Sequence, residues 1–258
     1  MHAKPSLEDG LYIPDADEID QAVDCYLAGL CPLGDALSPE DFVDWCQPSI
    51  AAGAKVGDLR APRRLRKLAR KGPFDVRVDT DFAGVVAACG TQRRGGQWIT
   101  RAVMGMSLGL YEAGLAHSVE CWRDDRLVGG LYGLAYNGLF IGESAFTRMD
   151  DAGSIAMVHL LARLRAGGFR FLDAQMPTEH VRRYGIGPIP QDNYTTERAF
   201  ATLKPANWWA MDDDPDAALA DFLSASAGTR PFGWHDDAAP VAEWPDPDDD
   251  TAPILTAD

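Results

Sequence analysis

Apolar positions recur along the chain with two periods, and the switches between them mark its elements. Ile19, Val23 and Leu27, with Tyr26 and Leu30, follow helical spacing, and Gly29 then Pro32 end that run. Ser38-Pro39-Glu40-Asp41 supplies a hydroxyl cap, a first-turn proline and an acid three residues on, which predicts a second helix start. Arg60 to Lys71 predicts a third helix. FDVRVD, from Phe74, alternates as a strand, and DFAGVVAAC reads as helix. A glycine-rich loop (Arg94-Gly95-Gly96) leads through Trp98-Ile99-Thr100-Arg101 into a helix running to about Tyr111. Three strands follow closely. HSVECW reaches a turn at Arg123-Asp124-Asp125, RLVGGLYGLAY reaches the hairpin signal Asn137-Gly138, and LFIGESAF is the third. A helix (SIAMVHLLARLRAGG), a buried strand (FRFLDAQM) and a loop rich in Gly and Pro complete the pattern. A strand meander followed by a helix and another strand predicts an α+β arrangement rather than a doubly wound sheet.

Composition changes this picture little, and charge changes it a good deal. Of 258 residues, 46% are hydrophobic and 24% charged, as in globular chains, so wholesale disorder is excluded. No apolar run approaches the roughly 18 residues of a membrane span, and the start (MHAKPSLEDG) lacks a signal-peptide pattern, which predicts a cytoplasmic protein. The five cysteines form no CxxC pair and have no histidine at metal spacing. Reduced thiols and no metal site are expected. The net charge of −15 is unevenly spread. Residues 1–50 hold eleven acids and one base, and residues 211–258 hold thirteen acids and one base, so residues 51–210 carry a net +7. From about Met211 the chain is acidic and Pro-rich, and its last thirty residues are expected to be loosely ordered.

On a helical wheel Arg60, Arg63, Arg64, Lys67, Arg70 and Lys71 fall within an arc of about 120°, opposite Ala61, Leu65, Leu68 and Ala69. Such a cationic face, with no acidic partner expected, suits a polyanion such as nucleic acid. A solvated surface helix is the alternative.

Other chemistry is excluded by its missing motifs. No GxxxxGK[ST] loop is present, and Ser144 lies in GESAF rather than GxSxG. Arg182-Arg183-Tyr184-Gly185-Ile186-Gly187 fits the RxxGxG pattern of acetyl-CoA-binding enzymes, but Pro188 and Pro190 hinder the helix such a loop requires. Three stretches remain. Trp98 offers a platform for a stacked base, Phe140 and Glu143 lie on one predicted strand, and Phe171, Asp173 and Gln175 alternate on another and project to one face. Each also has a structural reading: a core tryptophan, a Glu143–Arg148 pair, a buried Asp–Gln pair.

GGQWITRAV, GLAHSVECWRDDRLVGGLYGLAYNGLFIGESAFTRM and FLDAQ…YGIGPIP closely resemble the bacterial leucyl/phenylalanyl-tRNA–protein transferases. The resemblance runs from about Arg60 to Tyr194, is weaker over residues 10–50, and implies a small N-terminal domain (residues 1–57) and an acetyltransferase-like (GNAT-like) domain with a mostly antiparallel central sheet (58–205); the acidic Pro-rich tail (206–258) is an addition outside it. The resemblance implies transfer of leucine or phenylalanine from tRNA onto proteins beginning with Arg or Lys, marking them for degradation, with no cofactor and as a monomer. By the same resemblance Arg63, Lys67, Arg70 and Lys71 hold the tRNA acceptor stem, and Trp98 supports the 3′-terminal adenosine. Phe140, Leu160 and Leu33 line the donor pocket, and Glu143 sits near the reacting ester. Asp173 and Gln175 assist the attacking amine. Because a glutamine amide is too weak a base, Asp173 is the expected proton sink, with Gln175 orienting the amine. An acetyl-CoA-dependent N-acetyltransferase and a non-catalytic tRNA-binding descendant are the alternative readings.

The chain departs from the family pattern at several positions. Leu33 stands where the family has a pocket tryptophan, Leu160 where it has an aromatic, and Gly153-Ser154 where it has Ser-Lys; WWSP reads Trp45-Cys46-Gln47-Pro48. Exchange of tryptophan for leucine removes ring stacking and reshapes the pocket, at about 1 kcal/mol if the ring touched the ligand.

Overall fold

A computed structural model describes residues 11–34, 42–91 and 98–228. Helix α1 (Ala16–Leu27) starts at a reciprocal cap: Glu18 N donates to Asp15 Oδ1 at 3.0 Å and Asp15 N to Glu18 Oε2 at 2.9 Å. It buries Ile19, Ala22, Val23 and Tyr26. Strands β1 (Cys31–Gly34) and β2 (Val43–Cys46) pair antiparallel, with Cys31 opposite Cys46; all five thiols are free. The helix expected after Ser38 is therefore corrected, at residues 43–46, to a strand. Residues 38–41 and the Arg94-Gly95-Gly96 loop lie outside the described residues, as do the last thirty.

Within the described residues the remaining strands form a seven-stranded sheet in the order β4-β5-β6-β7-β8-β3-β9. They are β3 (Ala52–Lys55), β4 (Asp75–Val78), β5 (Ala116–Arg123), β6 (Arg126–Tyr136), β7 (Leu139–Thr147), β8 (Phe171–Gln175) and β9 (Gly187–Pro188). All neighbours are antiparallel except β7 and β8, which helix α5 (Ala152–Ala166) connects. The β5–β6 turn holds Asp124 and Asp125 at φ +50° and +55°, the left-handed pair that matches strand twist. Strand β3, assigned from the sequence to the N-terminal unit, pairs inside this sheet.

The two faces carry separate cores. On one lie α2 (Arg63–Ala69), α5, the 3-10 turn Trp208–Asp213 and α8 (Pro215–Gly228), around Leu65, Ile155, Leu161, Trp208 and Phe222. On the other lie α1, α3 (Phe82–Gly90) and α4 (Arg101–Glu112), around Val85, Val103 and Leu110. Two short helices, α6 (Glu179–Arg182) and α7 (Gln191–Thr202), follow β8. Residues 208–228 are acidic in sequence, yet Phe222 and Leu223 bury their side chains there, and Arg163 of α5 pairs with Asp212 at 2.6 Å.

Three expectations change. The basic helix is shorter than Arg60–Lys71: Pro62 occupies its N-cap, and Arg60 lies outside it, donating from its backbone to the Tyr184 carbonyl. Arg64 does have an acidic partner, Asp151, ahead of α5. Helix α7 begins at Gln191 directly after Pro190, so the prolines do not forbid a helix; Gly187, however, is held in β9 opposite Gly53.

Candidate active site

Parallel pairing of β7 with β8 ends at Ile141 opposite Asp173, and beyond it the two strands are joined by side chains. Two irregularities create the arrangement. On β7, Gly142 faces Gly133 and Ser144 faces Tyr132, so Glu143 is the extra residue of a bulge. Gly133 permits it: a Cβ there would lie 2.2 Å from the Ile141 carbonyl oxygen. On β8, Gln175 sits at φ +60°, unusual for a residue with a side chain, and Met176 N donates back to the Ala174 carbonyl at 2.6 Å. The turn aims the Gln175 amide at the bulge, and its Nε2 donates to Glu143 Oε1 at 2.5 Å.

Behind this pair lies a buried ion pair. Asp173 is fully buried; its Oδ1 accepts from Gln175 N at 2.7 Å and its Oδ2 from the Tyr194 hydroxyl at 2.8 Å. The Arg198 guanidinium pairs with the same Oδ2, donates to the Tyr194 hydroxyl at 3.2 Å and reaches the Tyr26 carbonyl. Burial lowers the Arg198 pKa to about 10, which leaves it charged at neutral pH. With three donors on its oxygens and no exposed surface, Asp173 presents nothing to an incoming amine.

Glu143 differs. Its residue is only partly buried, but its carboxyl lies against the core, and burial pushes the pKa up to about 7 against the opposing hydrogen bonds from Tyr26 and Gln175. The Tyr26 hydroxyl is itself raised by burial and by Glu143. One carboxylate is thus locked into an ion pair while its neighbour changes charge near neutrality, the separation of roles that acid–base chemistry needs.

The other predicted residues divide. Trp98, half-buried, lies just ahead of α4, and its carbonyl accepts from Gly34 N at 2.9 Å. Strand β1 runs from that contact past Leu33 to Cys31, whose thiol Glu143 influences. Three residue steps at about 3.3 Å place the two ends of this strand roughly 10 Å apart, with Trp98 beside one end and Glu143 acting on the other. Phe140 and Leu160 are not brought there. Both are completely buried on the α5 face, Phe140 stacked on Trp208 with centroids 5.6 Å apart, whereas Asp173 belongs to the opposite face.

Arg63, Lys67, Arg70 and Lys71 are exposed and make no ion pair with any described residue, while Leu65 and Ala69 hold α2 to the core. Arg64 bonds Asp151, which follows the carboxyl end of β7; β8 runs parallel, so Gln175 lies at that same end of the sheet. The ridge is thus anchored on the α5 face just beyond the carboxyl end of β7, and Glu143 lies four residues before that end. Sequence reading missed Tyr26, Tyr194 and Arg198. Their available signal was the i, i+4, i+7 stripe Tyr194, Arg198, Ala201 on α7. It also missed Glu120, a buried carboxylate whose oxygens accept from Thr80 N, Asp81 N, Ser118 Oγ and Trp122 Nε1, an anchor for the loop before α3.

Residues 54–199, from β3 through most of α7, match the profile of the leucyl/phenylalanyl-tRNA protein transferases, and this span contains every member of the network except Tyr26. The chain is 42% identical over 191 residues to the leucyl/phenylalanyl-tRNA–protein transferase of Phenylobacterium zucineum, covering 73% of this chain and 86% of that one. It is 36% identical over 222 residues to that of Salinibacter ruber (84% and 96%), and 39% over 199 residues to that of Caulobacter vibrioides (76% and 91%). With the match spanning more than half its length, the chain belongs to the leucyl/phenylalanyl-tRNA protein transferase family.

Proposed function

We propose that this protein is an aminoacyltransferase that moves leucine or phenylalanine from its tRNA ester to the N-terminal α-amine of proteins beginning with Arg or Lys, marking them for degradation. The observation that carries the reading is the Glu143–Gln175 contact across the β7–β8 opening, backed by the Asp173–Tyr194–Arg198 cluster. The amine attacks the ester carbonyl, the C–O bond to the ribose 3′ oxygen breaks, and a proton passes from the amine toward that leaving oxygen. Glu143, rather than the Asp173 expected from the sequence, is the group suited to take the proton, since a base with a pKa near the working pH transfers protons best. Gln175 gives its N–H to Glu143, which leaves its carbonyl to orient the amine. Asp173 holds the strained Gln175 turn in place. The ester is already activated, so positioning supplies much of the rate.

The α2 cations hold the acceptor stem, Trp98 supports the terminal base, and Leu33 borders the donor side chain. The parting of β7 from β8 supports an acetyltransferase-like domain, which we take to include β3; residues before it form the small N-terminal unit. We take the protein to act as a cytoplasmic monomer; no described helix is long and apolar enough to cross a membrane. Incubation with radiolabelled leucyl- or phenylalanyl-tRNA and a peptide with N-terminal arginine tests the reading. Label transfer is expected, and its absence with both tRNAs refutes it.

A further inference from the structure

The cationic ridge stands where the chain leaves the described fold. Near the end of α8, Ser226 Oγ accepts from Ala61 N at 3.2 Å, and the Ser226 carbonyl accepts from Arg66 Nη1 of α2 at 2.9 Å. Residues 229–258 follow, with Arg230 set against eight acids: Asp236, Asp237, Glu243, Asp246, Asp248, Asp249, Asp250 and Asp258. Opposite stand Arg63, Lys67, Arg70 and Lys71, exposed and without an ion pair among the described residues. Like charges at this spacing repel one another, and an anionic occupant relieves that repulsion. From Arg63 to Lys71 the ridge spans about 12 Å at the helical rise, and the eight residues after Gly228 reach up to about 28 Å when extended, so the acids can cover all of it.

A second feature matches the same segment. Beside Arg70 a cavity of about 810 Å³ opens between α2 and α8, where Phe74, Val76, Trp209, Leu219 and Leu223 share the walls with Asp75, Asp212 and Asp216. The segment carries Phe232, Trp234 and Trp244 among its acids; its acids suit the ridge, and its aromatics suit the apolar part of the cavity wall, while the wall's own aspartates keep the acids to the ridge.

We propose that residues 229–258 dock on the α2 ridge of their own chain, acids against cations, and compete with tRNA for it. The competition rests on the tRNA-binding reading of the ridge; the docking does not. The tether makes the contact intramolecular, so weak pairing suffices. A segment docked 80 to 90% of the time weakens tRNA binding about five- to tenfold. It discriminates as well: RNA that touches only the ridge meets the full competition, whereas a charged tRNA gains further contacts from its 3′ end in the site.

The test uses the full chain and zero-length carbodiimide coupling of carboxylates to lysines, read by mass spectrometry on the monomeric band. Links from Asp236–Asp250 to Lys67 and Lys71, and not to the exposed Lys55 and Lys204, are expected at low salt and should vanish at 1 M, where screening acts within about 3 Å. Links spread evenly over all four lysines overturn the docking. In parallel, a variant with the seven acids from Asp236 to Asp250 changed to Asn or Gln should bind tRNA about five- to tenfold tighter at 0.1 M salt and equally at 1 M. Ridge-specific links with unchanged tRNA affinity overturn the assignment of the ridge to RNA while the docking stands.

Discussion

Glu143→Gln separates folding from chemistry in a way the structure makes quantitative. Burial lifts the Glu143 carboxyl from its ordinary 4.5 to about 7. Between those values the folded chain retains a proton that the unfolded chain has released, so folding weakens as pH rises through that window, and the loss is complete above 7. At about 1.4 kcal/mol per pH unit the penalty approaches roughly 3 kcal/mol, an upper figure for a residue that keeps some exposure. The amide has no proton to lose and can still accept from Gln175 and Tyr26. Urea denaturation should therefore find Glu143→Gln more stable than the parent by about 1–3 kcal/mol at pH 8 and indistinguishable from it at pH 4. Transfer should fall about 10²- to 10⁴-fold, the contribution of a positioned base, and the rise of rate with an apparent pKa near 7 should disappear. A stability difference that does not vary with pH, or a variant that keeps both its rate and that titration, refutes the assignment of Glu143 as the base.

Arg198→Met strands Asp173 in the core and should cost about 3–5 kcal/mol by denaturation, whereas Asp173→Asn combined with Arg198→Met should recover much of the loss; equal losses would mean the charge is not confined. Exchange of Arg63, Lys67, Arg70 and Lys71 for alanine should reduce the slope of log binding constant against log salt by about 3 to 4, read by filter binding, and an unchanged slope removes α2 from the RNA interface. Gly133→Ala forces a Cβ against the Ile141 carbonyl, so a loss of about 1–3 kcal/mol in stability, with transfer falling more than tRNA affinity, is expected from melting and transfer assays.

Legibility from sequence tracked the clarity of each element's pattern more than its length: four-residue β4 showed in FDVRVD, whereas α7 and α8, twelve and fourteen residues long, were hidden in a Gly- and Pro-rich stretch and an acidic one. Strands β5 to β7, eight to eleven residues long with turn signals at Asp124-Asp125 and Asn137-Gly138, carry enough alternation to declare themselves, as do α1, α4 and α5. Strands β1 to β3 and β9, of four residues or fewer, show no clear alternation, unlike the equally short β4, and residues 43–46 fell under the helix signal of Ser38. Glu143, Asp173 and Gln175 were visible as residue types on strands. Their division of labour was not, because it depends on a bulge opposite Gly133, a left-handed turn at Gln175 and a guanidinium from α7. The stripe Tyr194, Arg198, Ala201 marks a buried helix face but does not say which distant carboxylate it meets. The same holds for Phe140, placed on the far face by strand register, and for Leu160, placed there by the packing of α5.

The contact between Arg198 and the Tyr26 carbonyl joins residues 172 positions apart. During synthesis on the ribosome, the first helix therefore waits for the seventh before its carbonyl and the neighbouring aspartate receive their shared cation. A nascent chain that has passed Asp173 but not yet Arg198 carries the acid without its cation, so the cluster behind Glu143 and Gln175 can assemble only after the seventh helix has been made.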